Sequence, residues 1–168
     1  AQVEVEMATT LRALMKEGVF VYPKSDRVEW LKETLGMVVN TAAQIWWTFE
    51  VGDVFEAVRG GSKNGMKLFA QKCHEQLNAL IVAVRTSVGQ KLLTKRINTL
   101  VIIDVHARDI IDSFVRDSVL DAREFAWESQ LRFSWDRDAD SVQIRQCSGI
   151  FDFGYEYQGL NGRLVITP

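Results

Sequence analysis

Cysteine is scarce in this chain, with two in 168 residues, Cys73 and Cys147, far apart. Two cysteines build no disulfide framework, and no metal-ligand spacing accompanies them. Free thiols in a reducing compartment are the expectation, with no metal site. Net charge is also scarce, −2 at neutral pH, which leaves no basic footprint for nucleic acid. Long apolar runs are missing. The richest, Leu100 to Ile103, stops at Asp104, far short of the roughly 20 residues a membrane-spanning helix needs, so no membrane partner is expected. Secretory signals, internal repeats and low-complexity stretches are not recognisable either. What remains is ordinary: 47% hydrophobic and 25% charged residues, a composition that can bury a real core in one domain or two small subdomains. The chain starts at Ala1 without Met and stops at Pro168, and a segment of a longer protein is the expectation.

Helical spacing dominates the first three quarters. Met7, Leu11, Leu14 and Met15 share one face, with Gly18 as the expected stop and Val19 to Tyr22 extended into Pro23. Asp26 is placed to cap the next helix, with Glu29 as its capping-box partner. Gly36 ends or kinks that short helix, and Val38, Val39, Ala42, Ile45 and Trp46 form a further stripe. Thr48 reads as another N-cap. Gly60-Gly61-Ser62 is the clearest break. Phe69 to Val88 keeps helical spacing up to Gly89, a second long helix is predicted from about Leu92 to Val119, and a short one at Asp121 with Glu124 behind it.

After residue 129 the period changes to two. Leu131, Phe133 and Trp135 alternate with polar residues, as do Val142 and Ile144. Phe151, Phe153, Tyr155 and Tyr157 put four rings on one predicted strand face, followed by a turn at Gly159 to Gly162 and a last strand at Arg163 to Ile166. The predicted fold is mainly α: an elongated antiparallel helical bundle over residues 1–128 and a small C-terminal antiparallel β element over 129–168.

No constellation amounts to an active site. Asp104, His106, Arg108 and Asp109 form the densest polar cluster, with Asp104 and Arg108 four apart on a helix and Asp109 on the other side. His106 lacks a second ligand at metal spacing, so the cluster reads as a structural joint to a neighbouring helix. Cys73 and His74 are adjacent, point about 100° apart on a helix, and cannot act as a dyad. Gly60 to Gly65 lacks the order of a phosphate-binding loop. Asp136, Asp138 and Asp140 lack the remaining ligands of a calcium loop. Trp46-Trp47 and the aromatic ladder are offered either as groove lining or as core, and regular aromatic stripes are more often core. The residues taken alone give a helical scaffold with a β appendage.

Phrases read in order add a resemblance. Gln44-Ile45-Trp46-Trp47-Thr48, Asp104-Val105-His106-Ala107-Arg108-Asp109, Phe125 to Phe133, and Gly154-Tyr155-Glu156-Tyr157 with Gly159 and Arg163 to Pro168 resemble successive phrases of the dynein heavy chain family, over roughly residues 28 to 168. Ala126-Trp127-Glu128 and Leu160-Asn161-Gly162 look closer to axonemal, inner-arm-type chains than to cytoplasmic ones. The resemblance implies the ring-proximal end of the linker, the helical lever lying across a six-module AAA+ ring whose swing is the power stroke toward the microtubule minus end. It implies that Val165, Ile166, Thr167 and Pro168 edge the adenine pocket of the first module. The Walker A and catalytic residues would lie beyond Pro168, so this segment would hold no catalytic residue and no cofactor, with Mg-ATP bound by the parent motor. The partners so implied are the AAA+ ring of the same chain and, through the parent, microtubules and dynein intermediate and light chains, in the cytoskeleton of a cilium or flagellum. A free-standing helical interaction adaptor is the alternative, and a hydrolase built on His106 a distant third.

Overall fold

The computed structural model describes residues 2–157. Among these, helices α1 (Gln2–Val21), α2 (Arg27–Glu33), α3 (Gly36–Arg59), α4 (Gly65–Thr86), α5 (Lys91–Asp117) and α6 (Phe125–Glu128) precede strands β1 (Arg132–Asp136), β2 (Ser141–Gln146) and β3 (Gly149–Asp152). The strands form one antiparallel sheet in the order β1-β2-β3. The mainly α fold with a small C-terminal antiparallel sheet is as the sequence predicts. The turn and strand expected at 159–166 fall outside the described residues.

Local chemistry accounts for the boundaries. The Asp26 carboxylate accepts from the Val28 and Glu29 backbone N–H groups and starts α2, satisfying donors the helix itself leaves open. Its expected capping-box partner, Glu29, instead pairs with Lys32 one turn on. Gly61, at φ 101°, turns the chain after α3 in a backbone region that strains residues bearing a Cβ. Ser118 ends α5 in the left-handed region, at φ 56°, and lets the Val119 N–H reach the Phe114 carbonyl at 2.9 Å.

Four local expectations are corrected. Helix α1 does not stop at Gly18 but runs on to Val21. Gly18 serves a close crossing instead: a Cβ there would stand 2.3 Å from Val38 Cγ1 of α3. The free carbonyls at the end of α1 are met by two indoles, Trp30 Nε1 donating to Gly18 O at 3.2 Å and Trp46 Nε1 to Val19 O at 2.7 Å. Thr48 lies inside α3, and its hydroxyl donates back to Gln44 O, a use open to any mid-helix threonine. The aromatic ladder is not a strand face. Strand β3 ends at Asp152, Phe151 and Tyr157 are exposed, and Tyr155 turns inward at φ 51°. The helix expected at Asp121 begins at Phe125, because the Glu124 carboxylate folds back onto the Leu120 and Asp121 N–H groups and makes a turn first.

Two apolar cores lie along the same three long helices. The first gathers Leu11, Met15 and Val19 of α1, Val38, Val39, Ala42 and Ile45 of α3, Leu80 of α4, Leu100 of α5, and Phe133 and Val142 of the sheet. The second gathers Val51 and Phe55 of α3, Phe69 and Cys73 of α4, Ile111 and Phe114 of α5, and Trp127 of α6. Trp127 touches the rings of Trp47, Phe55 and Phe114 at centroid distances of 5.5, 5.7 and 6.2 Å, within the range of favourable tilted and edge-on ring contacts.

Candidate functional site

Between the two cores lies a polar waist. Its cleft, of about 130 Å³, is lined by residues of the middle of α3, α4 and α5 together with Tyr22, Arg27 and the Gln130-Leu131 segment. At its centre Arg27, the first residue of α2, meets Asp104 of α5. Nη1 donates to Oδ2 at 2.5 Å and Nη2 to Oδ1 at 2.7 Å. The Arg27 Nε donates to the Tyr22 hydroxyl at 2.9 Å. Tyr22 stacks on Trp46 at 5.8 Å and meets Trp30 edge-on at 4.9 Å, so the rings fix the guanidinium's third partner.

The electrostatics follow from burial. The side chains of Arg27 and Asp104 are 16% and 10% exposed. Burial works against the Arg27 charge, but the Asp104 hydrogen bonds and its negative charge outweigh it and raise the guanidinium pKa. Burial likewise raises the Tyr22 hydroxyl. Cys73, on the cleft wall, is pushed up to about 12, first by burial and then by the negative charges of Asp104 and Glu50. It is a neutral thiol, unsuited to nucleophilic attack. The Trp47 indole N–H is buried on the same wall and has no hydrogen-bond partner among the described residues.

The predicted cluster divides in the structure. Asp104 is buried and turned to Arg27, not to Arg108. Arg108 instead bonds its neighbour Asp109, Nε and Nη2 reaching Oδ1 at 2.9 and 2.6 Å. Facing along an i, i+4 row permits a pair, and here a two-pronged cross-helix partner displaced it. His106 is exposed at the rim of the cleft. Cys73 and His74 point apart, the thiol buried and His74 Nε2 3.0 Å from Asp112 Oδ2. Asp136 holds a turn, its Oδ1 accepting from the Asp138 and Ala139 N–H groups, while the Arg12 guanidinium bonds the Ala139 and Asp140 carbonyls. Val165, Ile166, Thr167 and Pro168 lie outside the described residues. Among the described residues no group of three His, Cys, Asp or Glu side chains is placed to hold a metal ion, and no helix is long and apolar enough to cross a membrane.

Sequence reasoning misses Arg27. One signal was available: a cation at the first position of a helix opposes the positive end of the helix dipole, which favours acids there. Such a residue is held by something other than its own helix, here a carboxylate from α5.

No protein-family model matches the chain. Curated relatives match nearly all of it. Human dynein axonemal heavy chain 10 is 53% identical over 164 residues, 97% of this chain. The dynein-1-alpha heavy chain of the flagellar inner arm I1 complex of Chlamydomonas reinhardtii is 59% identical over 165 residues, 98% of this chain. Human dynein axonemal heavy chain 9 is 38% identical over 164 residues. The chain spans about 4% of the length of each of these relatives. Identity at this level along nearly the whole chain shows that it belongs to the dynein heavy chains, among the axonemal members whose names place them in the axoneme and flagellum.

Proposed function

We propose that this segment is the ring-proximal part of the dynein linker, a mechanical lever that passes conformational change from an AAA+ ring to the microtubule-directed power stroke. One observation carries the reading: three long helices share two apolar cores, and a buried two-pronged ion pair pins α2 to α5 between them. Such an arrangement resists deformation, which a lever requires. Residues 129–168 would join the lever to the first ATPase module, and Mg-ATP would bind in that module through residues beyond this segment. A joint at Asp104 then works through Arg27, with the Arg108-Asp109 pair beside it. The heavy-chain relatives, matched over nearly the whole segment, speak against a free-standing adaptor.

The test uses the full heavy chain carrying Asp104→Asn. A softened lever lowers microtubule gliding velocity while the microtubule-independent ATPase rate is retained. If ATPase falls in step with velocity, or neither changes although the segment is destabilised, the lever reading fails. Calorimetric titration of the segment with Mg-ATP should show no micromolar binding, since adenine contacts alone cannot replace a phosphate cradle and metal site.

A further inference from the structure

The outer face of the sheet holds a row of side chains that folding alone does not explain. Arg132 of β1 stands directly opposite Arg145 of β2, and Arg145 directly opposite Ile150 of β3. Directly opposed residues of antiparallel strands share a face, and like charges in that position repel. Phe133, Trp135, Val142 and Ile144 occupy the other face and pack toward the first core. The row therefore looks away from that core, with Arg145 and Ile150 exposed.

Neither arginine makes an ion pair among the described residues. Both are nevertheless held in place. The Arg132 guanidinium lies over the Trp127 ring, 5.8 Å from its centroid, and its Nη2 reaches the Cys147 carbonyl at 3.5 Å. Arg145 Nε donates to Gln143 Oε1 at 2.9 Å. Among the described residues the buried Arg132 Nε has no hydrogen-bond partner, and a desolvated donor without a partner is costly. Asp152, on the same sheet opposite Gln143, makes no ion pair with either arginine among the described residues. Two guanidiniums on one sheet face, like in charge and with no acid paired to either among the described residues, suit a planar carboxylate arriving on that face.

We propose that Arg132 and Arg145 form a clamp for an Asp or Glu side chain carried by another part of the same heavy chain, which docks on this sheet face with an apolar neighbour against Ile150. Ile150 is 59% exposed, which favours a folded surface offering acid and apolar group together over a free anion. The segment accounts for about 4% of its relatives' length, and a tethered surface binds at an effective concentration no separate chain matches. The clamp goes beyond the lever reading and depends only on family membership, so it stands or falls whether or not a nucleotide-binding loop follows Pro168.

The experiment is zero-length carbodiimide cross-linking of the full-length heavy chain carrying Arg145→Lys, with the linked peptides identified by mass spectrometry. Carbodiimide joins an amine to a carboxylate only at contact distance and leaves arginine untouched. The expected product links position 145 to an Asp or Glu of the same heavy chain outside residues 1–168, and the unsubstituted chain does not give it. A link only to Asp152 or another acid within the segment, a link to a different polypeptide, or no link overturns the proposal. In parallel, Arg145→Glu in the full chain should raise hydrogen exchange several-fold in residues 149–152. Unchanged exchange there also overturns it.

Discussion

Arg27 and Asp104 meet across 77 positions of sequence as a two-pronged, largely buried ion pair. Removing one partner strands the other charge in the waist, which costs about 3–5 kcal/mol. Asp104→Ala and Arg27→Met should each lower the unfolding free energy measured by urea titration by that order. The double variant Arg27→Met with Asp104→Leu should recover most of the loss, because two apolar residues replace the pair without leaving a bare charge. A double variant as unstable as the sum of the singles would mean the two residues do not act as a unit.

Gly18 and Gly52 should respond oppositely to alanine. Both lie inside helices, where alanine is better than glycine by about 1 kcal/mol. At Gly52 a Cβ meets nothing within 4 Å, so Gly52→Ala should raise the melting temperature. At Gly18 an added Cβ would collide with the Val38 methyl. Forcing α1 and α3 apart costs about 1–3 kcal/mol, so Gly18→Ala should lower the melting temperature despite the better helix propensity.

Tyr155 closes the sheet onto the first core. Its hydroxyl accepts from the buried Val142 N–H at 2.9 Å and contacts the Ser141 hydroxyl at 3.0 Å. Tyr155→Phe keeps the ring and leaves the N–H without an acceptor, a loss of roughly 1–3 kcal/mol. Amide exchange at Val142 should quicken selectively, measured by NMR.

The two thiols should differ in reactivity. Cys147 is exposed and Cys73 buried, so iodoacetamide at pH 8 should modify one site quickly and the other only at the rate of unfolding. The raised Cys73 pKa also sets a sign for stability. The folded state keeps its proton to about 12, whereas the unfolded thiol loses it from about 9. Stability from this group is complete below the unfolded value and is lost as pH rises between the two. Cys73→Ala should flatten the alkaline limb of the stability profile.

The long helices were legible because α4 and α5 carry apolar residues at helical spacing and glycines near the turns. The β1-β2 hairpin was legible from strict alternation. Errors arose where tertiary contacts overrode local signals. Gly18 looked like a stop because nothing in the sequence reports a Val38 methyl from α3. Thr48 looked like a cap because a threonine before acids fits a helix start equally well. The aromatic alternation at 151–157 misled because the chain leaves the sheet at Phe153, and Tyr155 turns in to satisfy Val142. At the waist the sequence offered Asp104 but not its partner, since an ion pair spanning 77 positions leaves no local pattern.

The pair of cores strung along α3, α4 and α5 has a mechanical meaning. Rods that slide freely past one another bend as separate thin rods, but rods bonded together at both ends bend as one thick beam. Sliding one helix here by a single residue, about 1.5 Å, would disengage side chains in both cores at once. A laminate of this kind draws its flexural stiffness from forbidding shear, so the substitutions expected to soften the segment most are those that unbond one end, such as truncation of Trp127 or Leu100.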